Sequence, residues 1–70
     1  MKLYVSVCHD RHDDDKIYVF TDKVKAIRRA KGFMMDYRDV KEYATSSWLY
    51  HGSCEPSESY AYVFETYLIK

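Results

Sequence analysis

The residues best equipped for chemistry in this chain are two cysteines and three histidines, and they fall into two groups. Cys8 and His9 stand near His12, and His51 stands near Cys54. Cys8-x3-His12 with His51-x2-Cys54 would offer two sulfur and two nitrogen ligands, a set that suits tetrahedral zinc. A structural metal would also stabilise a core this small. The spacing matches no standard zinc finger, however, and polar residues gather at loop ends for solvation alone. Loop histidines and a buried or half-buried Cys8 are the favoured reading, with no metal and no cofactor expected.

Asp13, Asp14 and Asp15, with Asp10 nearby, form the other conspicuous group. Adjacent carboxylates can hold magnesium or calcium, but such loops normally alternate their ligands with other residues and include a turn glycine. Neither feature is present, so the run reads as a solvated hairpin loop. No Gly-rich phosphate loop, Gly-x-Ser-x-Gly elbow or His-Glu-x-x-His motif occurs. A one-helix core also lacks depth for a water-excluding pocket. The expectation is a protein that is not an enzyme.

Charge is placed unevenly although eleven acids balance eleven bases. Residues 22 to 41 contain seven bases and three acids, whereas residues 42 to 70 contain four acids and one base. A basic helix front carrying Lys25, Arg28 and Arg29 could contact phosphates or an acidic protein surface. A solvated helix face accounts for the same residues without any partner. Eight tyrosines join Phe20, Phe33, Phe64 and Trp48. Tyrosine pairs a large apolar ring with a hydroxyl, which suits both thin cores and interfaces. Trp48, Tyr50, Tyr60 and Tyr62, with the three bases, are the candidate partner-binding residues.

The elements that must carry these side chains can be read from hydrophobic period. Leu3, Val5 and Val7 alternate with polar or mixed neighbours, as in a half-buried strand. Ile17, Tyr18, Val19 and Phe20 form a second strand, joined to the first across the acidic loop. Thr21 and Asp22 mark a helix start. Ala26, Ala30, Phe33, Tyr37, Val40 and Ala44 follow at intervals of three and four, an amphipathic stripe. The spacing therefore predicts one long or bent helix over residues 22 to 49, weakened near Gly32 by about 1 kcal/mol relative to alanine. His51, Gly52, Ser53, Cys54, Glu55, Pro56 and Ser57 read as the turn that ends it. Residues 60 to 69 form the last strand, bulky on one face and apolar on both.

The expected architecture is α+β, a single domain over residues 1 to 70. It is a ββαβ fold, with a three-stranded antiparallel sheet of order 2-1-3 and one long or bent helix on one face. One helix covers one side of such a sheet, so the far side of the last strand points to a partner. Seventy residues bury only about 60 % of their unfolded surface, which favours help from self-association. A hydrophobic content of 47 % excludes a disordered chain, and two glycines and one proline exclude low-complexity readings. Zero net charge argues against a uniformly basic nucleic-acid coat. No apolar run approaches a membrane span, and the opening residues are too short a stretch for a signal peptide. The expectation is a cytoplasmic protein with reduced thiols and no membrane partner.

The segment Lys2-Leu3-Tyr4-Val5 at the start, with Val19-Phe20-Thr21-Asp22-Lys23-Val24-Lys25-Ala26 and a Tyr-rich last strand, resembles a group of small uncharacterised bacterial and bacteriophage proteins. The similarity covers residues 1 to 31 and the last ten, and its motifs are structural: strand, cap, helix. Residues 33 to 48 depart from the group's pattern. The resemblance implies a compact phage-encoded protein in the host cytoplasm that clamps onto a larger host or defence protein without chemistry of its own. The leading functional expectation is thus a non-enzymatic protein-binding module, homodimeric, that inhibits or modulates a larger protein. A nucleic-acid-binding regulator and a zinc-stabilised adaptor are the alternatives.

Overall fold

A computed structural model describes residues 1 to 69. Its elements are β1 (Lys2–His9), β2 (Lys16–Phe20), α1 (Lys23–Met34), β3 (Lys41–Tyr43), β4 (Tyr50–Cys54) and β5 (Ser59–Tyr67). The strands form one antiparallel sheet of order β2-β1-β5-β4-β3. This corrects the three-stranded ββαβ expectation: the sheet has five strands, and two of them come from residues assigned to helix and turn.

The helix begins as its cap dictates, but one residue later than Thr21 suggests. Asp22 is the N-cap, and its carboxylate accepts from the backbone N–H groups of Val24 at 2.8 Å and Lys25 at 3.4 Å. The helix stops at Met34, with Met35 as its C-cap. Asp39 then takes a left-handed backbone, φ 58°, a conformation that short polar side chains tolerate and that no helix continues through. The stripe of Tyr37 and Val40 persists because both pack against the core, not because the chain is still helical. Beyond them comes the short strand β3, held by its pairing with β4, and then the turn residues Thr45, Ser46 and Ser47.

Small residues bring the helix close to the sheet. Ala26, Ala30 and Met34 form its buried face. Ser6, Ala61 and Val63 meet that face from β1 and β5, and all three are fully enclosed. Ser6 donates 2.6 Å to the Ala26 carbonyl, which satisfies a hydroxyl that would otherwise be orphaned in the core. Opposite residues in an antiparallel pair share a face, so Tyr50 and Gly52, paired with Val63 and Ala61, also lie under the helix. Gly52 is a strand residue for a steric reason: a Cβ there would overlap the Tyr50 hydroxyl and lie 3.1 Å from Met34 Cγ. Tyr60, Tyr62 and Phe64 alternate to the other face.

Candidate functional site

Among the described residues no helix covers the second face of the sheet, and aromatic rings occupy it. His9 stacks on Tyr60 with centroids 4.5 Å apart, and Tyr60 stacks on Tyr62 at 6.0 Å. Tyr62 continues the row to Phe64 at 6.2 Å and, across the ladder, to His51 at 6.2 Å. His51 is sandwiched in turn by Tyr43 at 4.7 Å and Trp48 at 4.9 Å. The alternation of β5 and the pairing of His51 with Tyr62 and Tyr43 place these rings side by side.

A tight turn delivers Trp48 to the group. Thr45 Oγ1 accepts from the backbone N–H groups of Ser47 at 3.1 Å and Trp48 at 3.0 Å. The Thr45 N–H in return donates to the Trp48 carbonyl at 2.8 Å. These bonds fix the loop between β3 and β4, so the indole lies over His51 and Tyr62. At the other end His9 Nδ1 and an Asp15 carboxylate oxygen lie 2.5 Å apart, tethering the acidic loop to the rim of the ring cluster. Asp10 ties the same loop to the chain beyond the helix by accepting from the Tyr37 hydroxyl at 3.0 Å. The His12 N–H and that hydroxyl hold the Asp10 carboxyl below its ordinary value.

Electrostatically the face is muted. Burial pushes the His51 imidazole below its ordinary value, and its Nδ1 is enclosed without a hydrogen-bond partner. Burial, and then the nearby Asp15 charge, pushes the Tyr60 phenol up. The rings are half-buried except for Tyr43, which is exposed, and Val5 and Val7 form the floor beside them. Ile17 and Val19, 64 % and 59 % exposed, extend the apolar surface along β2.

The candidate partner-binding residues divide into three places. Trp48, Tyr60 and Tyr62 share the open face. Tyr50 does not: it is 4 % exposed beneath the helix, because its register opposite Val63 turns it inward. Burial first, and then the neighbouring Glu42 carboxylate, pushes its phenol well up, although its hydroxyl makes no hydrogen bond of ordinary geometry. Lys25, Arg28 and Arg29 lie on the helix side, lining a cleft between α1 and β2. Bases and stacking tyrosines therefore occupy opposite sides of the sheet.

The zinc candidates are also dispersed. Cys8 and Cys54 are buried free thiols on the helix side, and Cys54 donates to the Arg38 carbonyl at 3.1 Å. His51 lies on the opposite face, and His12 lies in the exposed loop beside Arg11. Among the described residues no three His, Cys, Asp or Glu side chains are grouped to hold a metal. No described helix is long and apolar enough to cross a membrane.

Sequence reasoning missed Tyr43, Phe64 and the stacking role of His9 and His51. The strand period could have found Phe64, two residues beyond Tyr62. Tyr43 and His51 were hidden because their strands read as helix and turn. Comparison with protein-family models, curated proteins and solved structures finds no match for this chain.

Proposed function

We propose that this protein is a non-enzymatic protein-binding module whose docking surface is the uncovered aromatic face of the sheet. The carrying observation is the run of seven contiguous rings, His9, Tyr43, Trp48, His51, Tyr60, Tyr62 and Phe64, on the side without a helix. Aromatic clusters with an apolar floor and few charges are the composition of interface centres, where tyrosine and tryptophan carry much of the binding energy. The molecule measures 40 Å by 23 Å along its two longer axes. A face of that breadth is commensurate with the ~800 Å² per partner of a standard interface.

The remaining polar groups support action by contact. The Ser6, Ser57 and Ser59 hydroxyls are engaged with backbone carbonyls, and both thiols are buried. Such a module inhibits or modulates the protein whose surface it covers. A second copy of this chain meets the same requirement: face-to-face pairing makes a four-layer α/β/β/α sandwich.

Light scattering over a wide concentration range, on wild type and on Tyr62→Glu, tests the reading. A reversible dimer that Tyr62→Glu dissolves supports docking through this face. A protein captured from host lysate by wild type but not by Tyr62→Glu supports it with a different occupant. A strictly monomeric wild type that retains nothing in a Tyr62-dependent way overturns it.

A further inference from the structure

The cleft on the other side of the sheet has a chemistry of its own, and it is independent of the docking face. It is an open groove between α1 and β2 of about 520 Å³, a volume within the roughly 300–1,000 Å³ typical of small-molecule sites. Four cations line it: Lys16 from β2, and Lys25, Arg28 and Arg29 from α1. No carboxylate does. Among the described residues none of the four cations makes an ion pair, although Lys2, Arg11 and Lys41 elsewhere all do.

Helical spacing explains the convergence, since positions 25, 28, 29 and 32 lie on one flank of α1, and that flank overhangs the edge strand. The two arginines and Lys25 are exposed, so their N–H groups are free to donate. Four unpaired cations around one concavity raise the local potential for an anion well above that of a scattered helix face.

The walls are aromatic. Tyr18, Phe20 and Phe33 are half-buried in the cleft. The Arg29 guanidinium lies 4.6 Å from the Tyr18 ring centroid, a stacked position that holds the group in place while its planar edge stays available for hydrogen bonds. Gly32 leaves the helix wall open, with no atom within 4 Å of where a Cβ would stand. Cys8, 2 % exposed, is at the floor, where burial pushes its thiol up and the nearby Arg29 and Lys16 charges only partly oppose that.

Guanidinium forks match phosphate oxygens bidentately, and flat aromatic walls match a flat heterocycle. We infer that this cleft binds a nucleoside monophosphate, its phosphate against Arg28, Arg29, Lys16 and Lys25 and its base against the Phe20 and Phe33 rings. A bare anion would leave uncovered the parts of these rings that the core does not bury, and a neutral base would leave four cations unpaired.

Isothermal titration calorimetry with three probes tests this: AMP, adenosine and inorganic phosphate. AMP is expected to bind at least about tenfold more tightly than either fragment. Arg28→Glu with Arg29→Glu, and separately Lys25→Glu, should each weaken AMP binding by about tenfold or more. Lys25→Glu should leave the melting curve in place, since its side chain is exposed. The double variant also loses the Arg29–Tyr18 contact and should melt slightly lower. Tyr62→Glu, on the far face, should leave AMP affinity unchanged. AMP binding no tighter than phosphate would reduce the cleft to diffuse anion attraction and overturn the inference. Affinity that survives the charge reversals would overturn it too, as would binding of a single-stranded oligonucleotide with none of AMP.

Discussion

Gly52 and Tyr50 form a close steric arrangement in the core. The phenol end of the ring lies over the glycine, so Gly52→Ala must displace Tyr50, with Met34 giving way slightly beside it. Overpacking of this kind costs about 1–3 kcal/mol, and thermal denaturation should show a correspondingly lower Tm. Tyr50→Phe removes a buried hydroxyl without a hydrogen-bond partner, so stability should stay level or rise by up to about 1 kcal/mol. The double variant should recover part of the Gly52→Ala loss, because the hydroxyl is the nearest atom to the added methyl. His51 supplies a pH dependence. Its folded value is lowered by burial from an ordinary 6.5, so the unfolded chain binds the proton more readily. Its contribution to stability is complete above about pH 6.5 and declines as pH falls below that, towards the folded value. His51→Phe keeps a ring in the stack but cannot titrate. The Tm gap between wild type and this variant should therefore shift in the variant's favour as pH falls through that window.

At the scale of elements, the helix has one strong cap and one weak turn. Asp22→Ala removes both N-cap bonds and should lower stability by about 1 kcal/mol. Gly32→Ala meets open space at a negative-φ helical site and should raise it by up to about 1 kcal/mol. The two N-terminal strands, the helix start and the last strand were legible because alternation, β-branching and a capping acid act locally. The third and fourth strands were not. Tyr37 and Val40 keep helical spacing only because both touch the core from an irregular segment, so their period reports burial rather than helix. His51, Gly52, Ser53 and Cys54 look like a turn until the Tyr50 ring is placed over Gly52 and the segment is paired with its neighbours in the sheet. The open face was half legible. Tyr60 and Tyr62 declared themselves by period two, but Tyr43 and His51 reach them only through the pairing of strands that the sequence hides. The cleft was less visible still, since Lys16 and Tyr18 meet Lys25, Arg28 and Arg29 only after β2 folds beneath the helix.

For the whole molecule, the uneven dressing of the two sheet faces is the governing property. Small residues against the helix and large rings against solvent leave the apolar surface concentrated on one side. Ile17→Lys with Val19→Lys changes only exposed side chains, so stability should stay within about 0.5 kcal/mol. If the proposed docking face takes a second copy of the chain, light scattering should show that pairing weakened, because two cations are added at the margin of the ring cluster. The β1–β5 ladder has a further consequence, for the order of events during synthesis. Its eight residue pairs join Lys2–His9 to residues 60 to 67, the first strand to the last. A nascent chain that has reached only the β4 hairpin can set α1 on β1 through the Ser6–Ala26 bond. It lacks the strand that joins β1 to β4, so one edge of β1 and the rest of the helix stripe stay exposed. The core can therefore close only when β5 emerges from the ribosome, and chains halted before Ser59 should be degraded rather than accumulate.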